Sequence, residues 1–151
     1  MIANADKTRT DARARPRKAG GLYEGLAGVR FALRRFLAFS DVVTREAGVT
    51  SGQYQALLVI KTWPDGAIVL RDLAEQMLLQ HHGAVQLVDR LVRAGLVVRR
   101  SEATDRRKVL VVLTPKGSKI LERLAAAHRR ELLKHEPLLA ESLKRLRQID
   151  C

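Results

Sequence analysis

The most constraining feature of the sequence is a change of apolar spacing within residues 49–114. Up to Ala94, apolar residues recur at intervals of three and four, which is the stripe of amphipathic helices. From Leu96 to Leu113, two runs rich in β-branched residues flank a polar loop, which predicts a hairpin. The segment therefore predicts short helices followed by a two-stranded hairpin with a charged tip.

Local signals set the boundaries of these elements. Thr50 and Ser51 can cap a helix at its N-terminus, Pro64 and Gly66 mark a turn, and Gly95 is a helix stop. In chain order the signals predict a helix between Thr50 and Trp63, a short strand at 67–69, helices at 70–77 and 81–94, and strands at 96–100 and 109–113. This order is the layout of a winged helix-turn-helix over residues 49–114.

Long amphipathic patterns flank this segment on both sides. Residues 22–48 and 115–151 carry apolar side chains at helical spacing, and we expect Pro137 to interrupt the second pattern. The apolar stripe over 22–39 fits core packing, dimer packing or the wall of a ligand pocket. The expected fold class is mostly α with a small β-hairpin wing (α+β), in a single domain over 21–151.

Charge narrows the classes of partner. The chain has 28 Lys and Arg against 16 Asp and Glu, a net charge of +12. Such an excess indicates a polyanionic partner, with nucleic acid first and an anionic membrane surface second. Residues 1–20 hold six basic and two acidic residues with almost no large apolar ones, which predicts a basic disordered arm. Residues 80–108 hold seven basic and three acidic residues, so the hairpin region is also cationic.

Composition also excludes several functional classes. No apolar run approaches the roughly 18 residues of a transmembrane helix, and we expect no secretory signal and a cytoplasmic location. The single cysteine, Cys151, rules out a disulfide framework and cysteine-rich zinc sites. No Ser-His-Asp set, Gly-rich phosphate loop or H-E-x-x-H motif is visible, so we expect no enzyme activity and no cofactor.

Five short motifs occur in a specific order along the chain. They are Leu73-Ala74-Glu75, Leu87-Val88-Asp89-Arg90-Leu91, Gly95-Leu96-Val97, Asp105-Arg106-Arg107 and Leu113-Thr114-Pro115-Lys116-Gly117. Each motif alone is weak, but the ordered set over about residues 49–120 resembles the MarR family of bacterial transcription regulators. The chain departs from the family pattern at Leu78, where glycine is common, and at Gln80-His81-His82-Gly83, where Ser and Thr are common.

The resemblance implies a sequence-specific DNA-binding regulator, expected to be a ligand-responsive repressor associated with the nucleoid when bound. It implies a homodimer in which residues 22–48 and 115–151 interleave as dimerisation helices. Such a dimer reads a near-palindromic operator whose half-sites lie about 10–10.5 bp apart. The alternative function is a basic protein that binds nucleic acid without sequence preference.

The resemblance also assigns residues 80–94 to the recognition helix and 101–108 to the wing tip. A helix fits the major groove, and a cationic hairpin tip can reach the adjacent minor groove. The candidate DNA-binding residues are Gln80, His81, His82, Gln86 and Arg90 on the helix, with Arg100, Asp105, Arg106, Arg107 and Lys108 on the wing. Among these, the family motif gives Arg107 the minor-groove contact and Asp105 the role of holding local geometry.

Several roles stay open from the sequence alone. The two adjacent histidines at the start of the recognition helix either face DNA or are a solvated pair, and too few further ligands lie nearby for a metal site. Either Arg90 reaches phosphate or Asp89 pairs with a wing arginine. One of Arg99 and Arg100 is expected to reach phosphate while the other forms a structural pair.

Aromatic residues mark a candidate effector site. Phe36, Phe39, Tyr54 and Trp63 are the expected members of a pocket for a small lipophilic or aromatic effector. His128 and His135 lie about two helical turns apart on the last long helix. We expect them to be a packed or solvated pair rather than metal ligands.

Overall fold

Five α-helices and three short strands make up residues 17–149, the part of the chain that the computed structural model describes. In order they are α1 (Arg17–Glu46), α2 (Ser51–Thr62), β1 (Ala67–Val69), α3 (Leu70–Gln76), α4 (His81–Arg93), β2 (Val97–Ser101), β3 (Val109–Leu113) and α5 (Pro115–Arg147). The predicted fold class, mostly α with a small β-hairpin wing, is confirmed. No helix within residues 17–149 is long and apolar enough to cross a membrane.

The helices and strands fall into two compact units. One unit comprises residues 34–135, and the other joins the first part of α1 up to Leu33 to the last part of α5 from Glu136. The single domain over 21–151 stays a prediction.

The unit over 34–135 contains the hydrophobic core. Fully buried side chains of α2, α3 and α4 pack together, with Leu57, Leu73 and Leu91 each at 0% exposure. Ile68 of β1 and Val111 of β3 bring the sheet into the same core. The sheet is antiparallel with the order β1-β3-β2, so the predicted hairpin is present and gains β1 as a third strand.

The start and end of α2 follow the predicted signals. The Thr50 hydroxyl accepts from the Gln53 backbone N–H at 3.1 Å, and the Thr50 N–H donates to Gln53 Oε1 at 2.9 Å. This reciprocal pair is a capping box, which satisfies two backbone donors at the helix start. The helix ends at Trp63, where Pro64 begins a 3₁₀ turn, because proline restricts the residue before it to extended conformations.

The turn between α3 and α4 keeps a left-handed residue although no glycine is present. Leu78 has φ of 53° and is 94% exposed. The Leu78 N–H donates to the Glu75 carbonyl at 3.1 Å, and the Leu79 N–H donates to the Ala74 carbonyl at 2.9 Å. These two bonds form a Schellman motif, a helix end that usually has glycine at its left-handed position. Leu78 therefore takes the left-handed conformation that glycine adopts most readily.

In the second unit, the first part of α1 packs against the last part of α5. A Cβ built on Gly25 meets Leu146 Cδ2 at 2.7 Å, and Gly28 has no room for a Cβ beside Ser142. Arg145 Nη1 forms an ion pair with Glu24 Oε2 at 2.6 Å. Glycines on α1 thus permit close helix packing in this unit.

Two predicted boundaries of the long helices are wrong. α1 begins at Arg17 and includes Gly20, whereas the sequence placed the end of a disordered arm there. Residues 1–16 of that predicted arm lie outside the described residues. α5 continues through Pro137 without the predicted interruption. Leu133 and Pro137 lie on the exposed side of α5, where water can bond to the carbonyl that proline leaves without a donor.

Candidate nucleic-acid interface

Helix α4 presents one polar face and buries the other. Ala84, Leu87, Val88 and Leu91 are buried in the core, which confirms the predicted inward face except at half-buried Val92. The opposite side carries exposed polar residues about one turn apart: His82, Gln86, Arg90 and Arg93. Packing of the apolar stripe therefore fixes which side chains of α4 can reach a partner.

The N-terminus of α4 is suited to phosphate. Gln80 is the N-cap residue with no side-chain hydrogen bond to the helix, and the first turn contains no acidic residue. Unpaired backbone N–H groups and the positive end of the helix dipole attract anions. Gln80, His81 and His82 are all exposed at this end, so donors and acceptors for phosphate or base edges lie together.

The wing is an ordered hairpin with a tight tip. Strands β2 and β3 pair antiparallel from Val97↔Leu113 to Ser101↔Val109. At the tip, Asp105 Oδ1 accepts from the Arg107 backbone N–H at 3.0 Å. The Lys108 N–H donates to the Asp105 carbonyl at 3.1 Å. Asp105 therefore shapes the turn that displays the neighbouring cations.

The cations of the wing differ in their surroundings. Arg100, Arg106 and Arg107 are exposed, and their side chains form no ion pair within residues 17–149. Lys108 Nζ lies 3.7 Å from Glu102 Oε2, a loose and exposed contact. Because exposed ion pairs contribute little energy, Lys108 stays accessible to an anion as well.

One ion pair joins α4 to the wing. Arg99 Nη2 donates to Asp89 Oδ1 at 2.6 Å. The pairing of Asp89 with a wing arginine is therefore present, and Arg99 is that arginine. The phosphate contacts expected of Arg90 and Arg100 stay predictions. Arg90 remains exposed beside Asp89 on α4.

A buried aromatic cluster lies within the same unit. The ring of His128 stacks on Tyr54, with centroids 4.1 Å apart, and meets Phe36 and Phe39 edge-on. His128 Nδ1 donates to the Leu124 carbonyl at 2.7 Å, and His128 Nε2 lies 2.9 Å from Ser40 Oγ. Burial raises the pKa of the Tyr54 phenol. Three of the four predicted pocket residues are thus together.

Trp63 does not take part in these ring contacts. It is half-buried, caps the end of α2 and packs against the hydrophobic core. His128, which the sequence predicted to be packed or solvated, is packed at the centre of the cluster. The signal for its burial was its place on the apolar stripe of α5, one turn after Leu124.

Comparison with known proteins agrees with this geometry. A family model described as MarR family matches residues 47–108, which is most of the winged segment. A protein of Thauera aromatica, described as a transcriptional regulatory protein for the hcr operon, is 35% identical over 106 residues. The chain belongs to the MarR family. The alignment with the Thauera aromatica protein covers 67% of this chain and 63% of that protein, so the chain spans less than two thirds of the relative's length.

Solved structures of other proteins share the fold. A mutant of MarR from E. coli, complexed with operator DNA, has a TM-score of 0.61 at 23% identity, covering 78% of this chain and 89% of that one. BpsR of Bordetella bronchiseptica, whose DNA binding is regulated by 6-hydroxynicotinic acid, has a TM-score of 0.57 at 22% identity, covering 80% and 91%. At these identities the likeness shows the fold alone.

Within the MarR-family fold, all ten predicted DNA-binding residues lie on α4, its N-cap or the wing. Asp105 is half-buried and the other nine are exposed. The sequence did not predict the hydrogen bonds by which Thr114 and Lys116, at the start of α5, contact the end of α4. No local pattern predicts them, because the partners are about 20 residues apart.

Proposed function

We propose that this MarR-family chain is a sequence-specific DNA-binding transcription regulator that acts as a homodimer. Helix α4 lies in the major groove, and the wing places Arg107 and Arg106 at the adjacent minor groove. Binding takes place in the cytoplasm, at the nucleoid. A small aromatic or lipophilic effector changes the spacing of the two recognition helices and so modulates binding.

The observation that carries this proposal is the pairing of two cationic elements in one unit. Helix α4 buries its apolar stripe and exposes Gln86 and Arg90, while the wing tip exposes Arg106 and Arg107 with no ion pair in the described residues. The ion pair between Asp89 and Arg99 joins the two elements. A helix fits the major groove and a cationic hairpin tip suits the adjacent minor groove, so the two elements can contact one duplex together.

Exposed apolar residues support the homodimer. Of the fifteen exposed large hydrophobic residues within 17–149, seven lie on α1 and four on α5. On α1 they include Tyr23, Phe31 and Leu37, and on α5 they include Leu132 and Leu133. Such a concentration is unusual for a monomer and is typical of an interface. A second copy of the chain is the partner that the family implies.

The aromatic cluster supports the effector. Phe36 and Phe39 are only half-buried, although their edges meet the buried ring of His128. Half-exposed flat rings suit contact with an aromatic or lipophilic ligand. BpsR offers a parallel, since 6-hydroxynicotinic acid is an aromatic acid.

Selection of bound duplexes from a random DNA pool tests the proposal. We expect an enriched near-palindrome with half-sites about 10–10.5 bp apart. Its affinity should exceed that for a shuffled duplex by about 10³-fold or more, with a steep salt dependence. Enrichment of no sequence, together with equal binding of shuffled DNA and RNA, would instead establish non-specific nucleic-acid binding and refute the proposal.

A further inference from the structure

Three consecutive carbonyl oxygens at the end of the recognition helix accept hydrogen bonds from the start of α5. Lys116 Nζ donates to the Ala94 carbonyl at 2.9 Å. Thr114 Oγ1 donates to the Gly95 carbonyl at 2.6 Å, and the Thr114 backbone N–H donates to the Leu96 carbonyl at 3.0 Å. We use the name α4–α5 clasp for two of these contacts, from the Thr114 hydroxyl to the Gly95 carbonyl and from the Lys116 ammonium to the Ala94 carbonyl.

Each residue of the clasp has a chemical reason for its type. The Thr114 hydroxyl donates to Gly95 and accepts from the Gly117 N–H at 3.0 Å, so one group caps α5 and holds the end of α4. A lysine cation suits the Ala94 carbonyl because the C-terminal end of a helix carries partial negative charge. Gly117 has no room for a Cβ, which would collide with the Leu96 carbonyl oxygen.

The clasp adds to backbone bonds that already close α4: the Gly95 N–H donates to the Val92 carbonyl at 2.9 Å, and the Leu96 N–H donates to the Leu91 carbonyl at 2.9 Å. Ala94 is the C-cap residue, and Gly95 turns the chain with φ of 72°. The third bond, from Thr114 N–H, only extends the β2–β3 ladder by one residue. The side chains of Thr114 and Lys116 therefore add two hydrogen bonds to the end of α4.

We propose that Thr114 and Lys116 are positioning residues for DNA recognition, through which the first turn of α5 sets the orientation of α4. The inference rests on the proposed function. Neither residue needs to touch DNA for this role. Movement of the start of α5 displaces the end of α4 through the clasp, whereas the polar face of α4 makes the base contacts.

Matched variants separate the clasp from general effects. Thr114→Val removes the hydroxyl at nearly constant shape, and Thr114→Ser keeps it. Lys116→Met removes the ammonium group but keeps the side-chain length. Lys119→Met is its control, because Lys119 lines the same surface groove as Lys116 but makes no side-chain hydrogen bond within residues 17–149. Circular dichroism checks that each variant is folded.

The first measurement needs no DNA. Amide hydrogen exchange of Ala94, Gly95 and Leu96 in the free protein reports how firmly the end of α4 is held. We expect exchange about tenfold faster in Thr114→Val and Lys116→Met, with wild-type rates in Thr114→Ser and Lys119→Met. Unchanged exchange in both clasp variants would contradict the clasp without touching the proposed function.

The second measurement compares the duplex selected by wild-type protein with a shuffled duplex. Both clasp variants should bind the selected duplex about 2- to 30-fold more weakly and the shuffled duplex as wild type does, with an unchanged salt slope. Equal loss on both duplexes with a smaller slope would make Lys116 a phosphate contact and overturn the proposal. Faster exchange with wild-type affinity would make the clasp purely structural and also overturn it. Wild-type protein that does not discriminate between the duplexes would refute the proposed function itself, and the positioning role with it.

Discussion

Replacement of Leu78 by glycine should stabilise the protein. Leu78 lies in the turn between α3 and α4 with φ of 53°, a conformation that costs residues with a Cβ about 1–2 kcal/mol. The side chain is 94% exposed, so its removal loses only about 0.1–0.2 kcal/mol of the roughly 1.5–3 kcal/mol that full burial of leucine contributes. Glycine adds about 0.5–1 kcal/mol of unfolded-state entropy. The expected net gain for Leu78→Gly is about 0.5–1 kcal/mol.

Urea denaturation measures this difference. With a slope of about 2 kcal/mol/M, the midpoint for Leu78→Gly should rise by about 0.25–0.5 M. The protein concentration must be the same for all variants, because the stability of a dimer depends on it. Leu78→Ala is the matched control, since alanine removes most of the side chain but keeps the Cβ and hence the strain. If Leu78→Gly is no more stable than Leu78→Ala, the left-handed turn at this position is refuted.

Three further predictions concern the site. Arg107→Ala should weaken binding to the selected duplex by about 1–3 kcal/mol, or about 5- to 150-fold in Kd, as measured by fluorescence anisotropy; affinity equal to wild type would remove the wing from recognition. His128→Ala should lower the free energy of unfolding by about 3–4 kcal/mol, because it removes a buried ring and two hydrogen bonds. The control Arg129→Ala replaces an exposed neighbour and should change this free energy by less than about 0.5 kcal/mol. Equal effects of the two variants would contradict the packed cluster. Burial raises the pKa of Tyr54, so the folded state favours the neutral phenol, and stability should fall as pH rises above the usual tyrosine value of about 10. In urea denaturation between about pH 9 and 11, Tyr54→Phe should lose less stability with rising pH than wild type does. A pH profile of stability equal to that of wild type would contradict this prediction.

Elements set by local chemistry were predictable from the sequence. The helix cap at Thr50, the stop at Trp63 and the two faces of α4 depend on residues within a few positions of each other, and the structure has them as predicted except at half-buried Val92. The wing followed from β-branched runs around a polar loop for the same reason.

Elements that depend on distant partners or on tolerated strain were not predictable. The contact of His128 with Ser40 joins residues 88 positions apart, and the α4–α5 clasp joins Lys116 to Ala94 across 22 positions. Leu78 adopts a glycine-like conformation because the hydrogen bonds closing α3 outweigh its strain. Pro137 lies within a continuous helix, against its usual tendency to end one.

The most direct test of the account is a nuclear magnetic resonance titration of the labelled protein with the selected duplex. We predict that the amide signals of residues 80–93 and the guanidinium signals of Arg106 and Arg107 shift, while those of buried Leu57 and Leu73 do not. A titration with saturable binding that leaves the signals of α4 and the wing unchanged would contradict the central claim that these two elements read DNA.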